Sequence, residues 1–282
     1  MTNHFFVTLK NRGLIRLEGP DRHDFLQGLI TNDIRKLTPL NPIYACLLTP
    51  QGKFLHDFFI IEGDGYTLLD CEGGERAQDL YDRLLRYRLR AEVLISVECQ
   101  NQVYAILESQ NLRISESQSN TFGDSEILRF RDSRNSAMGH RSFTKPDLPE
   151  HPFEEWDYRR ISLTIPDGCR DLIIDKSTMD EGNMDALNAV DYDKGCYIGQ
   201  ELTARMHYRG LGKKRLRTIK LSSRTNPAKP LGEDGEAEGS DQTADIQDPS
   251  TSPKGSARDD NVLELRTECK DLAIALVKTD KA

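Results

Sequence analysis

The octapeptide Lys194-Gly195-Cys196-Tyr197-Ile198-Gly199-Gln200-Glu201 concentrates more potential chemistry than any other stretch of the chain. At its centre is a cysteine, whose thiolate is both a nucleophile and a soft metal ligand. Gly195 and Gly199 permit a tight turn or a close approach of backbone to a ligand. Glu201 and Arg205 stand at the i,i+4 spacing of a helical ion pair. The motif therefore reads as a loop opening a helix near Gly199, with Cys196 close to the helix N-terminus. Helix N-termini and nearby cations raise the thiolate fraction of a cysteine. Lys194, Arg205, Arg209, Lys213, Lys214, Arg215 and Arg217 supply the cations, and no acid occurs from Leu202 to Arg217. Such a run could also take a polyanion, whether a polyglutamate tail, a phosphate or RNA. The bland alternatives are an inert buried thiol and a solvated basic face.

The elements that must hold this loop follow from patterning. Gly13–Glu18 reads as a strand stopped by Gly19-Pro20, where Pro favours the first helical position. Phe25, Leu26 and Leu29 give the ensuing helix an apolar face, and Thr31-Asn32-Asp33 ends it. Residues 43–49 and 54–61 form a hairpin across Thr49-Pro50-Gln51-Gly52, and 66–71 is a third strand. A helix is expected at 75–89, then paired strands at 93–99 and 102–108. Residues 127–131 suit a strand, 156–163 a helix or a strand, and 180–190 a helix. Further strands are expected at 216–221, 262–266 and 272–277. Hairpins segregated from helices argue for an α+β fold. Residues 222–261 hold no large apolar side chain except Leu231 and Ile246. Such a stretch cannot offset its ordering entropy, and a mobile acidic insertion is expected there.

Composition narrows the class. The chain has 282 residues, 37% hydrophobic and 30% charged, with net charge −8. That length suits two domains, and that charge opposes bulk attraction to nucleic acid or anionic lipid. No apolar run reaches the roughly 18 residues of a membrane span. The opening Met1-Thr2-Asn3-His4-Phe5-Phe6-Val7 lacks a basic region before an apolar core and is not Arg-rich, so the expected compartment is the cytoplasm. The six cysteines fall at 46, 71, 99, 169, 196 and 269, with no CxxC spacing. They read as reduced, and all but Cys196 as small buried hydrophobes.

Lys194–Glu201 resembles the signature octapeptide of the YgfZ proteins, relatives of the glycine-cleavage T-protein. Three further blocks resemble the family in order: Leu17–Asp21 running through Phe25–Asp33; Tyr44–Lys53 with Asp57; and Arg159-Arg160 with Ile165-Pro166 and Asp171. Together they span residues 12–217. The resemblance implies the T-protein fold, α+β modules around a central cavity with a small C-terminal β-barrel. It implies a folate-binding domain at 1–209 and a barrel-like domain at 210–282, although 222–261 is too polar to supply middle strands. It also implies tetrahydrofolate as ligand, a role in assembling or repairing iron–sulfur enzymes, including tRNA-modifying ones, and Cys196 as the important residue.

Candidate folate contacts are Asn32, Asp33, Lys194, Gln200, Glu201 and Arg205, each with a structural alternative in turn, cap or surface chemistry. A lone cysteine cannot hold a cluster by itself, so Cys196 would ligate one shared with an assembly or client protein. Two other functions compete. A tetrahydrofolate-dependent aminomethyltransferase needs a carboxylate to manage protons, for which Asp33 and Asp57 are available. A tRNA-binding module could use Arg205–Arg217, with Tyr208 alone for stacking.

Overall fold

A computed structural model describes residues 4–98, 102–108, 129–221 and 261–279. Three sheets are built from antiparallel pairings. The largest has the order β3 (Ile43–Leu48), β4 (Phe54–Glu62), β5 (Tyr66–Glu72), β2 (Arg12–Glu18), β6 (Leu94–Glu98). The second joins β1 (His4–Thr8), β7 (Tyr104–Glu108), β9 (His140–Ser142) and β8 (Arg129–Arg131) in that order. The third is β10 (Lys214–Lys220), β12 (Leu272–Lys278), β11 (Val262–Cys269).

Strands β3 and β4 are apolar along nearly their whole length because both faces of their sheet are covered. Ile43, Ala45, Leu47, Leu55, Phe58 and Ile60 point into one cluster with Leu26 of helix α1 (Arg22–Gln27) and Leu80 and Leu84 of helix α2 (Glu75–Arg88). Their neighbours Tyr44, Cys46, Leu48, Phe54, Phe59 and Ile61 enter a second cluster with Phe5, Val7, Phe130 and Trp156. Asp57 shares that second face by the two-residue period of a strand.

Between the two larger sheets this core is polar. Asp70 on β5 accepts from Arg12 Nε at 2.7 Å and from Arg141 Nη1 on β9 at 2.5 Å. Arg141 and Arg134 converge on Asp132, and both guanidiniums lie over the Phe59 ring. All these charges are buried. They satisfy one another, which a buried charge requires.

One expectation is corrected and two are refined. No helix forms over 180–190: Asn183 and Asn188 have φ of 55° and 58°, left-handed values a right-handed helix cannot hold, and the segment is a run of turns. Residues 156–163 resolve as helix, within α3 (Phe153–Ser162). Among the described residues the C-terminal unit is a three-stranded sheet with no closed barrel, its strands close to those expected. Leu216, Leu272, Ile274 and Leu276 join the same cluster as Phe5 and Tyr44, so this sheet shares its core with the rest of the chain. The mobile insertion expected at 222–261 lies outside the described residues except for Asn261, the turn residue that opens β11.

Candidate functional site

Cys196 lies on a loop that is locked down on both sides and open in the middle. Lys194 and Tyr197 are buried, whereas Gly195 and Cys196 are exposed. The lock is an ammonium. Lys194 Nζ donates to the carbonyls of Gln27 at 2.8 Å, Ile30 at 2.6 Å and Asn32 at 2.8 Å, which uses all three of its N–H groups. The carbonyl of Gln27 is among those left over as α1 ends, where a cation is electrostatically favoured. Burial pushes the Lys194 amine down to about 8. Alongside, Ile198 N–H donates to the Gly28 carbonyl and Asp191 N–H to that of Thr31.

The downstream anchor is a contact between two glycines. Gly199, at φ +84°, precedes helix α4 (Gln200–Arg209) and lies against the β3–β4 turn. A Cβ on Gly199 would meet the Thr49 carbonyl at 2.6 Å and Gly52 Cα at 2.9 Å. A Cβ on Gly52, at φ +71°, would meet the Gly199 carbonyl at 2.8 Å. Neither position admits a side chain. By contrast, a Cβ on Gly195 would meet nothing within 4 Å. The helix thus begins where the spacing predicts, four residues beyond Cys196.

The other candidates divide into committed and free. Asn32 donates to the carbonyls of Tyr44 and Asn188 and accepts from Asp33 N–H, so its amide is spent on tying strand β3 to the loop. Asp33 accepts from Gln27 and from Arg35, and the Arg35 hydrogen bonds bring its carboxyl down to about 2. These two, with Lys194, form a structural clasp whose polar atoms face protein partners. Gln200 is half-buried, and Glu201 and Arg205 are exposed. The Glu201–Arg205 ion pair that helical spacing suggests is not formed. Asp57 differs from all of these. It is buried, one oxygen accepts from Tyr44 O–H at 2.7 Å, and the other has no partner among the described residues. Burial is the main cause raising its carboxyl, against the pull of Arg12.

A second exposed thiol corrects the expectation that Cys196 stands alone. Cys169 Sγ donates to Glu72 Oε1 at 2.9 Å. Desolvation, then the Glu72 hydrogen bond, pushes it up to about 11. Cys46, Cys71 and Cys269 are buried as expected, and Cys99 lies outside the described residues. Among the described residues no three His, Cys, Asp or Glu side chains could together hold a metal ion. None of the described helices is long and apolar enough to cross a membrane.

Comparison with known proteins gives a consistent family of relatives. A Coccidioides immitis protein named iron–sulfur cluster assembly factor IBA57 homolog, mitochondrial, is 32% identical over 255 residues, covering 80% of this chain and 58% of its own length. The Homo sapiens iron–sulfur cluster assembly factor IBA57, mitochondrial, is 32% identical over 234 residues, covering 76% and 65%. The Mus musculus protein of that name is 31% identical, with the same coverage of 76% and 65%. The chain thus spans about 58–65% of the length of these relatives. Among solved structures, the glycine cleavage system aminomethyltransferase T from Bartonella henselae matches with TM-score 0.60 and 16% identity, over 79% of this chain and 68% of that one. It establishes the fold. No family model matches. The cytoplasmic expectation does not stand, because these relatives are mitochondrial by name. That expectation rested on the composition of seven residues, which says nothing of what compartment the folded part serves.

Proposed function

The chain belongs to the YgfZ/IBA57 family of glycine-cleavage T-protein relatives, and from that premise we propose that it is a folate-binding accessory factor for the assembly or repair of iron–sulfur enzymes. Its compartment, on this reading, is the mitochondrion, and its working group is Cys196. The observation that carries the proposal is the exposed sulfur on a loop fixed on one side by three Lys194 hydrogen bonds and on the other by the Gly199–Gly52 contact. A thiolate there can ligate iron, its Fe–S bond replacing one to a partner's ligand, which leaves as free thiolate. Because a cluster needs several ligands, the partner supplies the remainder.

One observation supports tetrahydrofolate as ligand: the buried Asp57 carboxylate keeps one oxygen without a partner among the described residues, and a pterin N–H could donate to it. Gln200, Glu201 and Arg205 retain free polar atoms, whereas Asn32, Asp33 and Lys194 act by shaping the loop. When bound, the folate supplies a one-carbon acceptor. Asp57, its carboxyl raised by burial, can hold or release a proton there. This favours Asp57 over Asp33 as the acid in the aminomethyltransferase reading, but that reading gives Cys196 no task. Service to tRNA-modifying enzymes is the narrower form of the proposal.

Complementation tests it. In cells lacking the native protein, wild type restores iron–sulfur enzyme activity and Cys196→Ala leaves it at least tenfold lower at equal protein level. Full rescue by Cys196→Ala would remove the thiol from the function. Folate-dependent release of formaldehyde from an aminomethyl donor would instead revive the transferase.

A further inference from the structure

The outer face of α4 has a composition that the Cys196 chemistry does not require. The inner face is occupied: Leu202 lies against Gly52, and Thr203 is buried with its hydroxyl donating to the Gly199 carbonyl. Outward point Arg205, Tyr208 and Arg209, followed by Leu211, Lys213 and Lys214 on the turn into β10, all exposed. Tyr208 is 69% exposed and Leu211 47%. Among the described residues none of Arg205, Arg209, Lys213 and Lys214 pairs with an acid. The nearby Asp180 and Asp185 are both engaged by Arg215, at 2.5 and 3.8 Å, and Glu201 lies in the first turn of the helix, while the exposed Asp193 follows Tyr192 in the chain.

Tyr208 is also held in place. The Tyr192 ring stacks on His207 with centroids 3.7 Å apart at 17°, and Tyr208 meets both edge-on, at 6.1 and 5.1 Å. A buttressed, exposed aromatic beside an aliphatic and several free cations is the composition of a protein-interface hot spot, since little side-chain entropy remains to be lost on contact.

We propose that this face docks an acidic iron–sulfur acceptor protein, on the helix that the Cys196 loop feeds. The proposal rests on the delivery function argued above and names where the recipient binds. Charge complementarity selects the occupant: the free cations are concentrated on a chain whose net charge is −8, so an acidic surface is recognised locally. RNA is disfavoured. Single-strand binding needs successive stacking platforms, and here one face of His207 is covered by Tyr192, leaving Tyr208 as the free ring.

The test measures binding of an acidic apo-[2Fe–2S] ferredoxin, with unmodified tRNA in a parallel arm. Wild type should bind the ferredoxin with an affinity that falls as salt rises. Arg209→Glu with Lys213→Glu should weaken it at least tenfold and Tyr208→Ala about fivefold, while Cys169→Ser leaves it unchanged. Thermal unfolding confirms that the variants are folded. Undetectable ferredoxin binding, equal binding by the double variant, or a preference for tRNA over ferredoxin would each overturn the proposal. Complementation separates this from the function itself. If Cys196→Ala fails while Arg209→Glu/Lys213→Glu rescues fully, delivery stands and the docking face does not.

Discussion

Two exposed cysteines in one chain have opposite surroundings. Cys169 follows Gly168, whose φ of +50° brings the backbone so close to Glu72 that the carboxylate takes both the Cys169 N–H and its thiol proton. Cys196 follows Gly195, where nothing crowds the backbone, and its sulfur has no hydrogen-bond partner among the described residues. Equal accessibility thus leaves the two sulfurs in different surroundings: among the described residues one loop brings an anion to the thiol and the other brings none.

The contrast is broken most directly by exchanging its members. Cys169→Ser should leave iron–sulfur enzyme activity within about twofold of wild type in the complementation assay, against the at least tenfold loss expected of Cys196→Ala. Equal losses would show that exposure was the relevant property after all. The clasp behind Cys196 comes next. Lys194→Met strands buried carbonyls and should cost about 3 kcal/mol in urea unfolding. That difference should widen between pH 8 and 10.5. The amine titrates near 8 in the fold against an ordinary 10.5, so the unfolded wild type binds more protons across that window and wild-type stability rises with pH. A flat difference would mean that the ammonium is not confined.

The two glycines flanking Cys196 sharpen the comparison. Gly199→Ala forces a Cβ into the Thr49 carbonyl and should cost about 2 kcal/mol, whereas Gly195→Ala should stay within about 0.5 kcal/mol of wild type. The smallest effect is at the closed thiol. Alkylation of Cys169 should be negligible at pH 8 and rise toward pH 11. Glu72→Gln removes the second cause of that shift and should speed the reaction at pH 8 about tenfold. No acceleration would assign the whole shift to desolvation.

Much of this was legible along the chain, and the exceptions share a cause. The apolar runs at 43–48 and 54–61, the Gly19-Pro20 stop and the start of α4 just after Gly199 are local signals, and the structure has them. The run 180–190 misled because its apolar residues keep helical spacing while Asn183 and Asn188 take left-handed angles set by tertiary contacts. The site was legible at Cys196 and illegible around it. Lys194 grips carbonyls more than 160 residues earlier in the chain, and Cys169 meets Glu72 across a separation of 97. No window of sequence holds both partners of such pairs.

Asp70 is the hinge of a similar long-range arrangement, with a consequence for biosynthesis. Its first cation, Arg12, precedes it, but its second, Arg141, is encoded 71 residues later. At ordinary ribosomal speed that is a delay of about 4–14 s. During that interval the five-stranded layer has one carboxylate without its full complement of guanidinium. The nascent N-terminal half must therefore wait, exposed on the side the second sheet will cover, and this is the interval in which a holdase would find it.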